Sequence, residues 1–570
     1  MSSLRNDALR YHREGRPGKI EVIPTKPCLT QRDLSLAYSP GVAEPCLDIE
    51  REPDLVFDYT AKGNLVAVIS NGTAVLGLGD IGPLAGKPVM EGKGVLFKKF
   101  ADIDVFDIEI AEKDPHRLVE IIAALEPTFG GINLEDIKAP ECFHVESALR
   151  ERLQIPVFHD DQHGTAIISG AGLVNAAELQ GKALSELRIV ISGAGASAVA
   201  CAKLWMLLGC QVENMLMLDS KGVLHEGRRG TVDVSKELFL RVTKARTLAD
   251  ALVGADVLVG LSKGNIVSAE MVKAMAPRPI IFALANPDPE IPYPLAREAR
   301  PDAIIGTGRS DFPNQVNNVL GFPFIFRGAL DAGAKQINEA MKLAASHALA
   351  KLAREDVPDR VRAAYGNAPL HFGKDYILPK PLDERVLLWV APAVARAAME
   401  TGVARRQLNL DEYRDALERR LGGSRSLVRQ VIHRVAHNPK RLVFAEANDD
   451  RVLRAMPVIV QDKIAKPVLL GDEETLRRRA AELTVDLGGV EIVPLSEKRL
   501  SYERDVSTLL DLRGRRGVTL PSARRRLAVD GTVTGLIMLR CGDVDGLVAG
   551  LLHGYPETIR LAIQLVGLHE

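Results

Sequence analysis

Short apolar runs recur along most of the chain, separated by stretches rich in glycine, proline and charge. In the first third, LVFDYT and NLVAVIS alternate with Gly/Pro turns, and HRLVEIIAALEPTF spaces its apolar residues as a helix does. This pattern predicts a mixed α/β domain over residues 1–160. Beyond it, LRIVISGAG, ENMLMLDSKG, DVLVGLS, PIIFALANP and DAIIGTG are apolar runs separated by enough chain for crossover helices. That rhythm predicts a doubly wound, Rossmann-like parallel sheet within residues 161–400. The Ala-rich, helix-prone GALDAGAKQINEAMKLAASHALAKLA follows, then AVARAAMETGVARR and the charged DEYRDALERRLGGSRS, so 401–428 is expected to be a linker. RLVFAEAN, KPVLLGD and VEIVPLS restart a βα rhythm and predict a C-terminal α/β unit over 429–570.

A chain of 570 residues needs several cores. Its 73 Lys+Arg against 74 Asp+Glu leave a net charge of −1, with no global basic field to suggest nucleic acid or an anionic membrane surface. A small-molecule partner is the expectation. The start, MSSLRNDALRYHREG, has no apolar signal core, and no later run approaches the roughly 18 apolar residues of a membrane span, so a cytoplasmic location is expected. The six cysteines are scattered without a C-x-x-C pair, which suits reduced packing residues.

Two glycine strings stand out. GAGASA, Gly193–Ala198, has an apolar run before it and AVACAKLWMLLG after it, the strand and helix that a dinucleotide fingerprint requires. Gly193, Ala194, Gly195, Ala196 and Ser197 are therefore candidate cofactor contacts. Asp219 ends the next predicted strand, where a ribose contact is expected, and Lys221 just beyond it could meet a 2′-phosphate. NAD and NADP both remain open at this point. GLGDIG, Gly77–Gly82, matches the pattern literally, but Pro83 and GKPVMEGKG after it do not read as an amphipathic helix, so a tight glycine turn is expected there.

PVFHDDQHGTA sets Asp160 and Asp161 at the seam between the first two domains, at a predicted strand-to-helix junction. Glu135 and Asp136, in GGINLEDIKAP, follow another short apolar stretch near the same boundary. Three carboxylates from these pairs would form a hard oxygen site suited to Mg²⁺ or Mn²⁺, whereas zinc would prefer His or Cys. The bland alternative is solvated surface acids, common in a chain with 26% charged residues. His159 and His163 are expected to support or pack rather than to bind the ion.

SLAYSPGVAEPC, GLGDIG with EGKGVLFKKFADID, INLEDIKAP, VFHDDQHGTA, GAGASA, ALANPDPE and QVNNVLGFP, in that order, resemble the NAD(P)-dependent malic enzymes in their bacterial short form over roughly residues 10–395. RLVFAEANDDRVLRA, VTLPSARRRL and GDVDGLVAGLLHGYPETIRLAIQLVG look like the first part of a phosphotransacetylase, so the whole is similar to the hybrid malic enzymes. The resemblance implies oxidative decarboxylation of L-malate to pyruvate and CO₂, with NADP preferred over NAD. It implies Mg²⁺ or Mn²⁺ on Glu135, Asp136 and Asp161, assisted by Asp160, and a neutral Lys93 that takes the hydroxyl proton. Tyr38 matches the family's acid, and Asn286 and Asn318 match asparagines at the substrate or nicotinamide, with Asn317 beside them as a further candidate substrate contact. A homo-oligomer, and an acetyl-CoA-like effector at the C-terminal unit, are implied as well; acetyl transfer is not expected, because the matching stretch spans about half of a phosphotransacetylase and stops before its catalytic serine and arginine segment. One departure is NGTAVLGLGD, with Thr73 and no arginine where larger members grip the malate carboxylate. The competing readings are a metal-free dehydrogenase of the amino-acid class and a non-catalytic scaffold that senses acyl-CoA.

Overall fold

The computed structural model describes residues 2–13, 17–26, 28–75, 78–366, 369–421, 439–461, 463–483, 485–552 and 554–567, and divides into two compact units, Met1–Leu421 and Gly422–Glu570. The first unit contains two parallel sheets. In the smaller, β1 (Leu65–Ser70), β2 (Asp104–Glu109), β3 (Gly131–Leu134) and β4 (Val157–His159) run in the order β2-β1-β3-β4. The continuous run LVAVIS is buried along its whole length, as a strand covered on both faces should be. Register does the functional work here. Leu134 pairs with His159 at the ends of β3 and β4, so the residues that follow each strand, Glu135–Asp136 and Asp160–Asp161, emerge side by side at one sheet edge.

The chain after GLGDIG is a 19-residue helix, Pro83–Ala101, which corrects the reading that Pro83 and GKPVMEGKG do not form a helix. Pro83 occupies its first turn, where a missing N–H costs nothing. Its inward face is Gly86, Met90, Gly94, Phe97 and Ala101, a helical spacing in which two of five positions are glycine. The glycines hide the apolar stripe from a hydropathy reading and let the helix lie close to its neighbours. Lys93 rides on this helix.

The larger sheet has the order β10-β9-β8-β5-β6-β7, from β5 (Ile189–Ser192), β6 (Met215–Asp219), β7 (Gly222–Val223), β8 (Val257–Gly260), β9 (Ile280–Ala283) and β10 (Ile304–Thr307). All pairs are parallel except β6 with the two-residue edge strand β7. This is the doubly wound dinucleotide-binding order, with its switch point between β5 and β8. GAGASA leaves β5 at that point.

Residues 401–421 are not a linker. Leu410–Arg420 is a helix capped by Asn409, with Tyr413 and Leu417 buried in the core of the first unit. The Tyr413 hydroxyl donates to Asp331 Oδ2 at 2.7 Å, and Arg406 pairs with Asp58. One apolar pair four residues apart suffices to dock an otherwise charged helix. Residues 422–428 of the expected linker lie outside the described residues. Nearer the start, Lys62 is buried before β1 and donates to the carbonyls of Glu126 and, at 2.6 Å, Phe129.

The second unit carries a parallel sheet in the order β13-β12-β11-β14, from β11 (Arg441–Phe444), β12 (Lys466–Leu470), β13 (Glu491–Val493) and β14 (Gly546–Val548). Its buried acid Asp505 is paired with Arg499 at 2.7 Å and with Arg504 at 2.9 Å. Among the described residues, no helix is long and apolar enough to cross a membrane.

Candidate active site

Glu135, Asp136 and Asp161 each place a carboxylate oxygen within 4.8 Å of the others'. The backbone builds this corner. Asp161 Oδ2 accepts from the Asp136 N–H at 2.9 Å, and Asp136 holds a left-handed φ of 54°, a conformation that Asp tolerates better than most residues. The Asp136 carbonyl accepts from the Ala74 N–H at 3.0 Å, and Asn133 Nδ2 donates to Glu135 Oε2 at 3.0 Å. Thr73 has a structural place as well: its hydroxyl donates to Asn71 Oδ1 at 2.7 Å and accepts from the Lys138 N–H at 3.1 Å.

Lys93 faces the corner from its helix. Its Nζ is 2.9 Å from Glu135 Oε1, pairs with Asp160 Oδ2, and lies 4.5 Å from the centre of the Phe322 ring. Burial alone would depress this amine, but Asp160, Glu135 and Asp161 outweigh it and hold the pKa above its ordinary value. Burial pushes the Glu135 carboxyl well up; Lys93 opposes this, and Asp161, Asp160 and Asp136 add to it. The neutral Lys93 expected from the sequence therefore requires positive charge to be added at the acids. Four carboxylates facing one ammonium form a site short of positive charge, and three all-oxygen donors suit a hard divalent cation. On that chemistry the residues fit Mg²⁺ or Mn²⁺.

Asp160 is itself locked from below. Gly164 lies one turn along the helix Asp160–Leu179, and a Cβ there would stand 2.2 Å from Asp160 Oδ1 and 2.9 Å from Asn318 Cγ. Asn318 Nδ2 donates to Asp160 Oδ2 at 3.3 Å, while its Oδ1 accepts from the Thr165 hydroxyl at 3.1 Å. Asn317, by contrast, uses its Oδ1 to cap the short turn that follows, accepting from Val319 N–H. Asn286 is exposed in the loop after β9, its amide facing Gly308.

The two histidines differ. His159 is buried with its Nδ1 3.8 Å from Asp161 Oδ2. His163 bridges two helices: Lys342 Nζ lies 3.1 Å from its Nδ1, and its Nε2 lies 2.6 Å from Glu146 Oε1. An ammonium can only donate, which assigns Nδ1 as acceptor and Nε2–H as donor in a neutral ring. Burial, reinforced by Lys342 and opposed by Glu146, moves the His163 pKa down accordingly.

GAGASA opens a cleft of about 820 Å³ whose walls include Gly193, Ala194, Gly195 and Asp219. Gly193 has φ 127°, and a Cβ there would stand 2.5 Å from the Leu261 carbonyl oxygen. Ala196 starts the helix Ala196–Leu207, which points its N-terminus at the loop. The Ser197 hydroxyl turns the other way and donates to the Asp161 carbonyl at 2.6 Å. Asp219 accepts both arms of the Arg228 guanidinium and, at 2.8 Å, the Lys221 N–H. Burial opposes ionisation of Asp219, but the Arg228 hydrogen bonds prevail and hold its carboxyl below the usual range. The lysines on the cleft wall are Lys236 and Lys263 rather than Lys221. Neither they nor Arg228 were legible in sequence: Lys236 lies in the four-residue helix Val234–Glu237, Arg228 in the three-residue 3-10 turn Glu226–Arg228 and Lys263 in a loop, all too short or irregular for a local pattern to announce.

Among the described residues, no hydrogen bond joins Tyr38 to the corner. Tyr38 ends the short helix Gln31–Ala37, which buries no residue, and is itself 72% exposed.

Three family models match the chain: malic enzyme, N-terminal domain, over residues 17–115; malic enzyme, NAD binding domain, over 162–364; and phosphate acetyl/butaryl transferase over 426–570. The NADP-dependent malic enzyme of Escherichia coli (strain K12) is 52% identical over 571 residues, covering 100% of this chain and 75% of the relative. The NAD-dependent malic enzyme of Rhizobium meliloti (strain 1021) is 51% identical, covering 98% and 73%. The crystal structure of malic enzyme from Pyrococcus horikoshii Ot3 superposes with a TM-score of 0.68 at 41% identity, covering 73% of this chain and 96% of that one. Relatives with either cofactor in their names are thus equally similar, so cofactor choice has to be argued from the cleft.

Proposed function

The chain belongs to the malic enzymes, and from that premise we propose how its own residues perform the oxidative decarboxylation of malate to pyruvate and CO₂ with reduction of NAD(P). The observation that carries the proposal is the convergence of Glu135, Asp136 and Asp161 beside Lys93. Those three acids would hold Mg²⁺ or Mn²⁺, which supplies positive charge to the C2 oxygen as electrons arrive there during loss of CO₂. Lys93 takes the C2 hydroxyl proton at Nζ, and Asp160 orients that amine. Asn318 keeps Asp160 in place. Asn286 and Asn317 lie on loops that would close over substrate or nicotinamide.

Tyr38 is proposed as the acid that protonates C3, in an assembly of two copies. The helix Gln31–Ala37 has no buried residue, and Leu34, Leu36 and Tyr38 are exposed on it. A second copy covering this segment would take the phenol out of water and seat it at a site.

NADP is proposed over NAD. The Arg228 guanidinium neutralises Asp219, whose charge would otherwise repel a 2′-phosphate, and Lys236 offers a cation on the same wall. The C-terminal unit is proposed to take an acetyl-CoA-like effector, supported by its match to the phosphate acetyl/butaryl transferase model. Six free cysteines are in keeping with a cytoplasmic setting.

The test is a single assay: purified chain with L-malate, each nicotinamide cofactor, and Mn²⁺ or Mg²⁺, following reduced cofactor and pyruvate together. Equal amounts of both products, abolished by chelator, are expected. Reduction without pyruvate, or activity that survives chelation, would overturn the reading in favour of a metal-free dehydrogenase.

A further inference from the structure

Ser197 sits in the dinucleotide fingerprint, yet its hydroxyl is spent on the metal corner. Its Oγ donates to the Asp161 carbonyl at 2.6 Å. A serine hydroxyl has one proton to donate, and a pyrophosphate can only accept, so this hydroxyl cannot serve a cofactor phosphate while the bond to Asp161 persists. The bond joins the first turns of two helices, Asp160–Leu179 and Ala196–Leu207. One presents a metal ligand; the other presents the backbone that a dinucleotide would contact.

A second connection runs in parallel. The segment after Glu135 and Asp136 continues into Ala139, Pro140 and Phe143, and all three line the cofactor cleft. The same loop therefore carries two of the three acids and part of the cofactor's wall. Asp136 and Asp161 are tied to each other through the Asp136 N–H. A dinucleotide filling the cleft would press on this loop from one side and fix the Ser197 turn from the other.

We propose that Ser197 is a positioning residue that links the two sites, so that a bound dinucleotide tightens the grip of Glu135, Asp136 and Asp161 on a divalent cation, and the cation tightens the dinucleotide to the same degree. The inference rests on the metal reading given above. Linkage of this kind is reciprocal by thermodynamic necessity, and couplings between sites are commonly fivefold or more, roughly 5–150-fold.

The experiment titrates Mn²⁺ into the full chain, with and without saturating NADP⁺, and reads free Mn²⁺ by electron paramagnetic resonance. Wild type and Ser197→Thr, which keeps the hydroxyl, should both bind Mn²⁺ at least about fivefold more tightly with NADP⁺ present. Ser197→Ala should lower that ratio by about twofold or more, the loop through Ala139 and Pro140 keeping the remainder. NADP⁺ affinity without Mn²⁺, followed by protein fluorescence, should change less than about threefold in Ser197→Ala. An unchanged ratio in Ser197→Ala would overturn the inference, as would a loss of NADP⁺ affinity without any change in Mn²⁺ binding. Failure of wild type to bind Mn²⁺ at all would instead remove the metal reading, and this inference with it.

Discussion

Lys93 Nζ lies 2.9 Å from Glu135 Oε1, so the amine assigned to take a proton shares its partner with the acids assigned to hold a cation. Each positive charge offered to Glu135 competes with the other. Positive charge on the acids would weaken the attraction that keeps Lys93 protonated, and Lys93 would then be free to act as a base. Lys93→Ala should lower kcat by about 100- to 10,000-fold, the range for loss of a positioned acid or base. Mn²⁺ affinity should be retained or improve, because a competing ammonium has gone. A variant that loses Mn²⁺ binding in parallel with kcat would show that Lys93 builds the site rather than acting in it.

Asp136→Asn is the cleanest change among the three acids. Asn tolerates the left-handed φ of 54° as well as Asp does, so the backbone, and the N–H given to Asp161, should stay. Only the charge and one ligand oxygen's basicity are lost. Mn²⁺ affinity should fall by more than the roughly 10–100-fold typical of losing an outer partner of a metal ligand. Equal binding by this variant in a Mn²⁺ titration would mean that the ion, if bound, is held elsewhere.

How much of this was legible in the sequence follows from what each feature depends on. The strands of the larger sheet were readable because runs such as IVIS are continuous and mostly apolar, and the crossover rhythm predicts a parallel, doubly wound sheet. The acid pairs were readable as residues but not as a site, since their convergence depends on Leu134 standing opposite His159 in the register of β3 and β4. The helix Pro83–Ala101 was hidden by Gly86 and Gly94 on its inward face, and Leu410–Arg420 by the charges around Tyr413 and Leu417. The fingerprint makes Ser197 a candidate cofactor contact through its backbone, and says nothing of where its hydroxyl proton goes.

Lys62 gives a pH test of the fold that carries these strands. Burial draws its amine down to about 8 from an ordinary value of 10.5, with Glu126 opposing and Arg405 assisting. Between those pH values the folded protein has released a proton that the unfolded chain still binds, so stability should rise with pH across this window. The gain is about 1–3 kcal/mol in wild type relative to Lys62→Met. Urea midpoints for both proteins from pH 7.5 to 10.5 check it. Curves that run parallel would mean that Lys62 titrates normally.

Arg228 offers the sharpest test of cofactor choice. Its guanidinium takes both oxygens of Asp219, and the carboxylate stands on the cleft wall where the far ribose of a dinucleotide is expected. While the pair holds, Asp219 is neutralised, and Lys236 with Lys263 outnumber Asp233 on the wall and tip it towards a phosphate. Arg228→Gln leaves Asp219 charged and free to accept a 2′-hydroxyl, which NAD has and NADP lacks, and to repel a phosphate. The ratio of kcat/KM for NADP to that for NAD should therefore drop about tenfold or more, equivalent to ~1.4 kcal/mol or above. Most of the change should appear as a higher KM for NADP, since the contact lies far from the reacting carbon and is made alike in ground and transition states. A uniform loss for both cofactors would assign Arg228 to holding the loop and leave specificity to other groups.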